Sequence, residues 1–148
     1  MPADPRLATL QTPCLLLDEA KMQANIDRLA ERTKALGVVL RPHLKTAKSV
    51  DVARRLLTAD GPATVSTLRE AEVFAEAGVR DILYAVGISP DKLPRVQALR
   101  EAGCDLTVIL DSVEQAQAVA EAGVPALVEI DSDGHRGGLR AEDPALPE

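Results

Sequence analysis

The chain has 148 residues, of which 46% are hydrophobic and 1% aromatic, so its core has to be built from aliphatic side chains. A net charge of −6 at neutral pH argues against non-specific binding of nucleic acid. No apolar run reaches the roughly 18 residues that a membrane helix needs, and residues 1–5 lack the basic and apolar regions of a signal peptide. These features predict a cytoplasmic protein of one domain or part of one.

The two cysteines, Cys14 and Cys104, are too far apart for a C-x-x-C motif, and no second pair is present to complete a zinc site. We expect both to be buried, reduced thiols beside strands. A reactive thiol and a disulfide are the alternatives.

The first predicted elements follow an irregular lead-in over residues 1–11. The apolar run 14–17 predicts a short strand. Asp18 is placed to cap a helix that runs from Glu19 to about Leu36, in which apolar residues recur at helical spacing. Gly37 is expected to end this helix in the left-handed conformation.

A repeat of strand and helix occupies the rest of the chain. The predicted strands cover residues 38–42, 63–65, 81–86, 106–110 and 126–130. The predicted helices cover residues 50–57, 68–77, 92–102 and 113–122. Three of these helices end in the same text, Glu-Ala-Gly, and the strands are near-continuous apolar runs, as is typical of strands covered by helices. Thr67 with Glu70 and Ser112 with Gln115 are spaced as capping boxes.

The strict alternation with short connections predicts a parallel α/β sheet, either open and doubly wound or closed as a barrel. No glycine-rich dinucleotide fingerprint or P-loop follows the early strands, which favours the barrel. Five strands cannot close an eight-stranded cylinder. We therefore expect a partial TIM-type (β/α)8 barrel, truncated C-terminally and lacking about three units, since residues 144–148 add no further strand.

Residues 41–49 carry an unusual number of basic side chains for the end of a strand. Because side chains alternate along a strand, Arg41, His43 and Lys45 are predicted to share one face. Lysine is seldom buried unless it is paired or used. Lys45 is therefore the first catalytic candidate, and a solvated or salt-bridged loop lysine is the alternative. Lys48, at the start of the next helix, is expected to bind phosphate or solvent.

Two stretches carry a family resemblance: residues 12–18 (Thr-Pro-Cys-Leu-Leu-Leu-Asp) and residues 41–48 (Arg-Pro-His-Leu-Lys-Thr-Ala-Lys). They resemble the D-threonine aldolase and D-serine dehydratase family, fold-type III pyridoxal-phosphate enzymes whose barrel is similar to the alanine racemase N-terminal domain. The resemblance covers essentially the whole chain. The first lysine of the family signature, Arg-Pro-His-x-Lys-Thr-His-Lys, forms the Schiff base with the cofactor, which implies Lys45. Ala47 stands where the signature commonly has histidine, which leaves reaction and substrate open.

The resemblance also implies a role for Arg136, which lies in a glycine-rich segment after a predicted strand. In the family, the matching arginine contacts the phenolic oxygen of the cofactor, a role that suits a permanently charged guanidinium. A solvent-exposed loop arginine is the alternative. His135 next to it is a weaker candidate to border the cofactor ring. Asp131, Asp133 and Glu142 have calcium-loop spacing, but the glycine that such a loop needs at its sixth position is missing, which argues against calcium.

Three further residues are candidates for contact with the cofactor. His43 either supports the Lys45 region by hydrogen bonding or is a buried imidazole held by backbone groups. Thr67 either lines the cofactor pocket or caps the following helix. Tyr84, near the end of its strand, either faces the cofactor or packs among aliphatic neighbours.

The resemblance implies a lyase that uses pyridoxal 5'-phosphate on D-β-hydroxy amino acids, by D-threonine aldolase-type cleavage or D-serine dehydratase-type elimination; racemisation also stays open. The Lys45 amine is then a candidate general base. In the full-length protein, the resemblance implies a homodimer and a divalent metal whose ligands lie in a C-terminal β domain beyond residue 148. The expected partner is a small D-amino acid, with neither nucleic acid nor membrane. The alternatives are a non-catalytic pyridoxal-phosphate homeostasis protein, whose family lacks the signature, and an inactive fragment.

Overall fold

The chain divides into two compact units, Met1–Val38 and Val39–Glu148. A computed structural model describes residues 5–57, 61–144 and 146. Among these residues, no helix combines the length and the apolar character needed to cross a membrane.

The first unit contains a 3₁₀ helix, Pro5–Thr9, and helix α1, Glu19–Leu36. Both predicted ends of α1 are confirmed. The Asp18 carboxylate accepts a hydrogen bond from the amide of Lys21 at 3.0 Å, and this bond lowers the pKa of Asp18. Gly37 ends the helix at φ 64°, in the left-handed region that favours glycine.

Three predictions for this unit are wrong. Residues 5–9 of the lead-in form a 3₁₀ turn rather than irregular chain; residues 1–4 lie outside the described part. Residues 14–17 form no strand, because no described strand pairs with them and an unpaired strand leaves its backbone groups without partners. Cys14 is exposed, whereas Cys104 in the second unit is buried as expected, and burial raises the pKa of its thiol.

The second unit alternates helices and strands, which confirms the predicted parallel α/β sheet. Its elements in chain order are α2 (Val50–Leu56), β1 (Ala63–Val65), α3 (Leu68–Glu76), β2 (Asp81–Gly87), α4 (Leu93–Glu101), β3 (Asp105–Leu110), α5 (Val113–Glu121) and β4 (Ala126–Val128). The four strands are parallel and lie side by side in the order β1-β2-β3-β4. All three Glu-Ala-Gly segments lie at helix ends, and their glycines have positive φ.

The strand predicted over residues 38–42 is wrong, and the one predicted over residues 126–130 ends early. At the first position only His43 forms an isolated bridge, with Thr64 of β1. Pro42 accepts a bond from the Thr64 amide at 2.8 Å but has no N–H to donate, so the ladder does not extend. After β4, the chain makes one further parallel bridge, Ile130 to Leu139, that the sequence did not predict.

The core lies between the sheet and its helices. Alternate strand residues point into it, since side chains on a strand alternate between faces; these are Ala63, Val65, Ile82, Tyr84, Leu106, Val108 and Leu110. The opposite face carries Leu83, Thr107 and Leu127, which line a depression of about 250 Å³. One face of the sheet is therefore covered by helices within this unit.

The two predicted capping boxes have different outcomes. At α5 the box is complete, because the Ser112 hydroxyl accepts from the Gln115 amide and the Gln115 side chain accepts from the Ser112 amide. At α3, the Thr67 hydroxyl accepts from the Glu70 amide at 3.1 Å. The Glu70 carboxylate, however, accepts from the amide of Ser66 rather than from that of Thr67. The capping box predicted at α3 is therefore only half formed, because the hydroxyl bond of Thr67 is present but the return bond from Glu70 to Thr67 is not.

Replacement of Ser112 tests the cap of α5. We expect Ser112→Ala to lower the free energy of unfolding by about 1 kcal/mol, because the backbone N–H of Gln115 loses the hydroxyl that accepts its hydrogen bond. Ser112→Asp keeps an oxygen that accepts from the Gln115 amide and should restore most of the loss. Urea unfolding of the three proteins measures this, and equal stability of the alanine and serine forms would contradict it.

Candidate active site

The carboxyl ends of the four parallel strands lie along one edge of the sheet, which is where open and closed α/β folds place their binding sites. Two segments beyond the strands approach this edge. One is the turn 44–48, beside the end of β1. The other is the loop 131–138, after β4. Strands β2 and β3 lie between the two strands that these segments adjoin.

The turn 44–48 is held at both of its ends. Leu44 is buried, and its amide donates to the carbonyl oxygen of Thr64 at 2.9 Å. The amide of Lys48 donates back to the carbonyl oxygen of Leu44 at 3.0 Å. Lys45, between these anchors, is exposed and makes no ion pair with another described residue.

The prediction that Arg41 lies with His43 and Lys45 at the carboxyl end of a strand is wrong. Arg41 does lie on the uncovered face of the sheet, where it lines the same depression as Leu83 and Thr107, but it is not at the carboxyl edge. Its guanidinium makes two hydrogen bonds to the carboxylate of Asp81, at 2.6 and 2.8 Å. Asp81 is the first residue of β2, so this pair lies at the amino end of the strands. A carboxylate with fixed geometry therefore holds Arg41 away from the edge that carries Lys45.

His43 connects the turn to the end of β1. Its Nε2 lies 3.2 Å from the hydroxyl oxygen of Ser66, and its Nδ1 accepts from the backbone N–H of Lys45 at 3.3 Å. Since Nδ1 is an acceptor, the neutral ring carries its proton on Nε2 and donates it to Ser66. Burial lowers the pKa of His43, the Lys45 cation lowers it further, and Glu70 opposes both. The imidazole is therefore neutral at pH 7.

Glu70 lies behind this group and was missed by sequence reasoning except as a capping residue. Its side chain is 8% exposed. Oε2 accepts from the Ser66 amide at 2.8 Å, and Oε1 lies 3.2 Å from Lys48 Nζ in an ion pair without hydrogen-bond geometry. Burial raises the pKa of Glu70, but the Ser66 amide and the Lys48 ammonium outweigh it, and the net pKa is lowered.

The loop 131–138 presents Arg136 to solvent, without an ion pair or hydrogen bond to another described residue. The loop ends where the amide of Gly138 donates to the carboxylate of Asp111, at the end of β3, at 3.1 Å. Gly138 has φ 113°, and a Cβ there would lie 2.8 Å from the amide nitrogen of Asp131. His135 Nδ1 lies 2.6 Å from the carbonyl oxygen of Asp133. The sequence marked Asp111 only as the start of a helix, not as a residue of the site.

Tyr84 and Thr67 occupy positions that packing and capping explain. Tyr84 is 2% exposed on the helix-covered face of the sheet, and its hydroxyl lies 3.3 Å from Lys92 Nζ. Thr67 is exposed and caps α3. Contact of either residue with a cofactor stays a prediction. Within the described ranges, no three His, Cys, Asp or Glu side chains cluster as a metal site would require.

Residues 17–146 match the family model described as "Alanine racemase, N-terminal domain". The chain is 51% identical to D-threo-3-hydroxyaspartate dehydratase of Delftia sp. (strain HT23), over 95% of this chain and 39% of that protein. It is 32% identical to 3-hydroxy-D-aspartate aldolase of Paracoccus denitrificans, over 90% and 37% of the two chains. The crystal structure of an alanine racemase-like protein from Idiomarina loihiensis has 51% identity and a TM-score of 0.89, over 95% of this chain and 40% of that one.

The state of His43 can be measured directly. We expect ¹H–¹⁵N imidazole spectra at pH 7 to show a neutral ring with its proton on Nε2, and the pKa to lie below the ordinary 6.5. Because the folded protein binds this proton more weakly than the unfolded chain, the contribution of His43 to stability is present above pH 6.5 and is lost as the pH falls through the folded-state pKa. His43→Gln assigns the signal, and a proton on Nδ1 would contradict the hydrogen bonds described.

Gly138 and Gly134 form a matched pair for testing the loop. Both have positive φ, but only at Gly138 would a Cβ meet backbone atoms. Gly138→Ala should therefore destabilise the protein by at least about 1 kcal/mol more than Gly134→Ala, which introduces the φ strain alone. Denaturant unfolding provides the comparison, and equal losses would show that the close approach of residues 129–131 to Gly138 does not matter.

Proposed function

This chain belongs to the alanine racemase N-terminal domain family, and we propose that it is part of a pyridoxal 5'-phosphate-dependent lyase acting on D-β-hydroxy amino acids. The family resemblance drawn from residues 12–18 and 41–48 is confirmed. Among such substrates, the 51% identity to a dehydratase supports elimination of water from a 3-hydroxyaspartate-type amino acid. The lower identity to an aldolase of similar substrate makes aldol cleavage the second candidate.

The chain spans 39% of the length of the Delftia dehydratase. We propose that residues 1–148 form the N-terminal part of an alanine racemase-like barrel, whose remaining units and C-terminal β domain belong to the intact protein. The parallel sheet with its strands in chain order supports this proposal, since barrel strands follow one another in that way. We further propose that the intact protein is a homodimer and binds a divalent metal through residues that lie outside this chain.

The residues at the carboxyl edge suit the chemistry of pyridoxal 5'-phosphate, which offers an aldehyde and an anionic phenolic oxygen. The Lys45 amine is exposed and has no acidic partner among the described residues, so an aldehyde carbon can reach it. Arg136 is likewise an unpaired cation that can hydrogen-bond an anionic oxygen. In contrast, Lys48 and Arg41 are occupied by Glu70 and Asp81. Lys45 would therefore hold the cofactor, and Arg136 would contact it.

When bound, pyridoxal phosphate accepts the electron pair that is released as a bond at the substrate Cα breaks. The protein's own groups supply the rest. Lys45 Nζ is the proposed general base, a role that requires a proton-accepting amine at the reacting carbon. Neutral His43 holds the Lys45 backbone through Nδ1 and donates from Nε2 to Ser66, so it adds no positive charge beside the amine.

A non-catalytic cofactor-binding protein remains the alternative from another class, and an inactive fragment is a third. The products of the intact protein distinguish them. Dehydration of a D-3-hydroxyaspartate releases a 2-oxo acid and ammonia, whereas aldol cleavage releases glycine and an aldehyde. Bound cofactor without either pair of products would support the non-catalytic alternative. Loss of turnover after treatment with a chelator, and its return on adding a divalent cation, would support the metal.

Replacement of Lys45 tests the proposal most directly. We expect Lys45→Ala in the intact protein to abolish the visible absorbance of the attached cofactor and to reduce turnover by at least about 10³-fold, because the covalent anchor and the base are lost together. Lys34→Ala, which removes an exposed lysine of α1, should change neither. Visible absorbance in a Lys45→Ala protein of normal secondary structure would exclude Lys45 as the anchor.

A further inference from the structure

Glu70 is the only charged side chain that is buried within the described ranges. A buried carboxylate is costly unless it is fully paired and hydrogen-bonded. Here Oε1 faces Lys48 Nζ but has no hydrogen bond. Capping of α3 does not explain the side chain, because the cap uses the hydroxyl of Thr67 and the backbone amide of residue 70. The Glu70 carboxylate is therefore directed at Ser66 and Lys48 rather than at the N-cap residue of α3.

One of its oxygens holds the far end of the turn 44–48. The Lys48 ammonium lies 3.2 Å from Glu70 Oε1. Lys48 has φ 48° and is the only non-glycine residue with positive φ in the described part. This conformation is uncommon for a side chain with a Cβ. The ion pair with Glu70 holds the Lys48 side chain at the end of the turn, where the Lys48 amide donates to Leu44.

The other oxygen acts on the opposite side of Lys45. Glu70 Oε2 accepts from the Ser66 amide, which fixes the residue whose hydroxyl contacts His43 Nε2. His43 in turn accepts from the backbone N–H of Lys45. The two oxygens of one carboxylate thus reach the turn by two routes, one through Lys48 and the other through Ser66 and His43.

We propose that Glu70 is a positioning residue for Lys45. From behind the carboxyl edge, its carboxylate holds both sides of the turn 44–48, so that Lys45 Nζ points toward an incoming aldehyde in one orientation. The inference rests on the proposed function for the identity of that aldehyde. Glu70 does not touch the cofactor and acts only through Lys48, Ser66 and His43.

Glu70→Gln in the intact protein is the test, because glutamine keeps the size and an oxygen for the Ser66 amide but loses the ion pair. Glu72→Gln is the matched control: it is the same change on the same helix, and it removes surface pairs with Arg69 and Arg95. Both variants are stripped of cofactor, and the rate of capture of added pyridoxal 5'-phosphate is followed by visible circular dichroism. We expect Glu70→Gln to capture about 10- to 100-fold more slowly, as misplacement of a reacting group does.

A second readout needs no cofactor. Hydrogen exchange of the Lys45 amide should become at least about tenfold faster in Glu70→Gln, equivalent to a loss of about 1.4 kcal/mol in local protection. It should stay unchanged in Glu72→Gln. If this exchange rises while Lys45→Ala still captures cofactor, the positioning role stands and the proposed function fails. If Glu70→Gln is folded and matches Glu72→Gln in both readouts, the positioning role is overturned.

Ser66→Ala keeps the inference testable if Glu70→Gln does not fold. This variant removes the hydroxyl that links the Ser66 amide to His43 and leaves the ion pair intact. We expect faster exchange of the Lys45 amide and slower capture, because the route through His43 is lost while the ion pair of Lys48 remains. A Ser66→Ala protein that behaves as wild type in both measurements would overturn the route through His43.

Discussion

The parallel pairing of the four neighbouring strands, in the order β1-β2-β3-β4, is the constraint on which the candidate site depends. A helix must return the chain before each new parallel strand, so every strand begins at the same edge and ends at the other. The short loops at the carboxyl ends then collect the groups that chemistry needs. The turn 44–48 reaches this edge without being part of a full strand, because Pro42 and Leu44 at its start each make one hydrogen bond to the backbone of Thr64. The position of Lys45 thus depends on the backbone of β1.

The four basic residues discussed for the candidate site fall into two classes. Arg41 and Lys48 are held by carboxylates, at the amino edge and behind the carboxyl edge respectively. Lys45 and Arg136 have no such partner among the described residues. The paired cations are engaged within the protein, whereas the unpaired ones are available to a ligand. The sequence placed Arg41 and Lys45 together because side chains alternate along a strand, so that residues 41, 43 and 45 would all lie on one face.

The helices and the parallel sheet could be predicted from sequence because their signals are local. The Glu-Ala-Gly helix ends, the Asp18 cap and the apolar runs act over a few residues. The prediction of a strand at residues 38–42 failed because a strand forms only where a neighbouring strand can make the whole series of backbone hydrogen bonds with it. Local sequence signals do not reveal that partner. Glu70 was missed as a site residue for a related reason: its partners, Ser66 and Lys48, become visible only when the turn and α3 are packed together.

The position of Tyr84 has a consequence for spectroscopy. The chain has no tryptophan and a single tyrosine, so this phenol is its dominant ultraviolet fluorophore. It is enclosed between the sheet and the helices, with the ammonium of Lys92 at its hydroxyl. Fluorescence from Tyr84 therefore reports how closely the helices pack against β2. A change in its fluorescence lifetime would indicate that this packing has loosened.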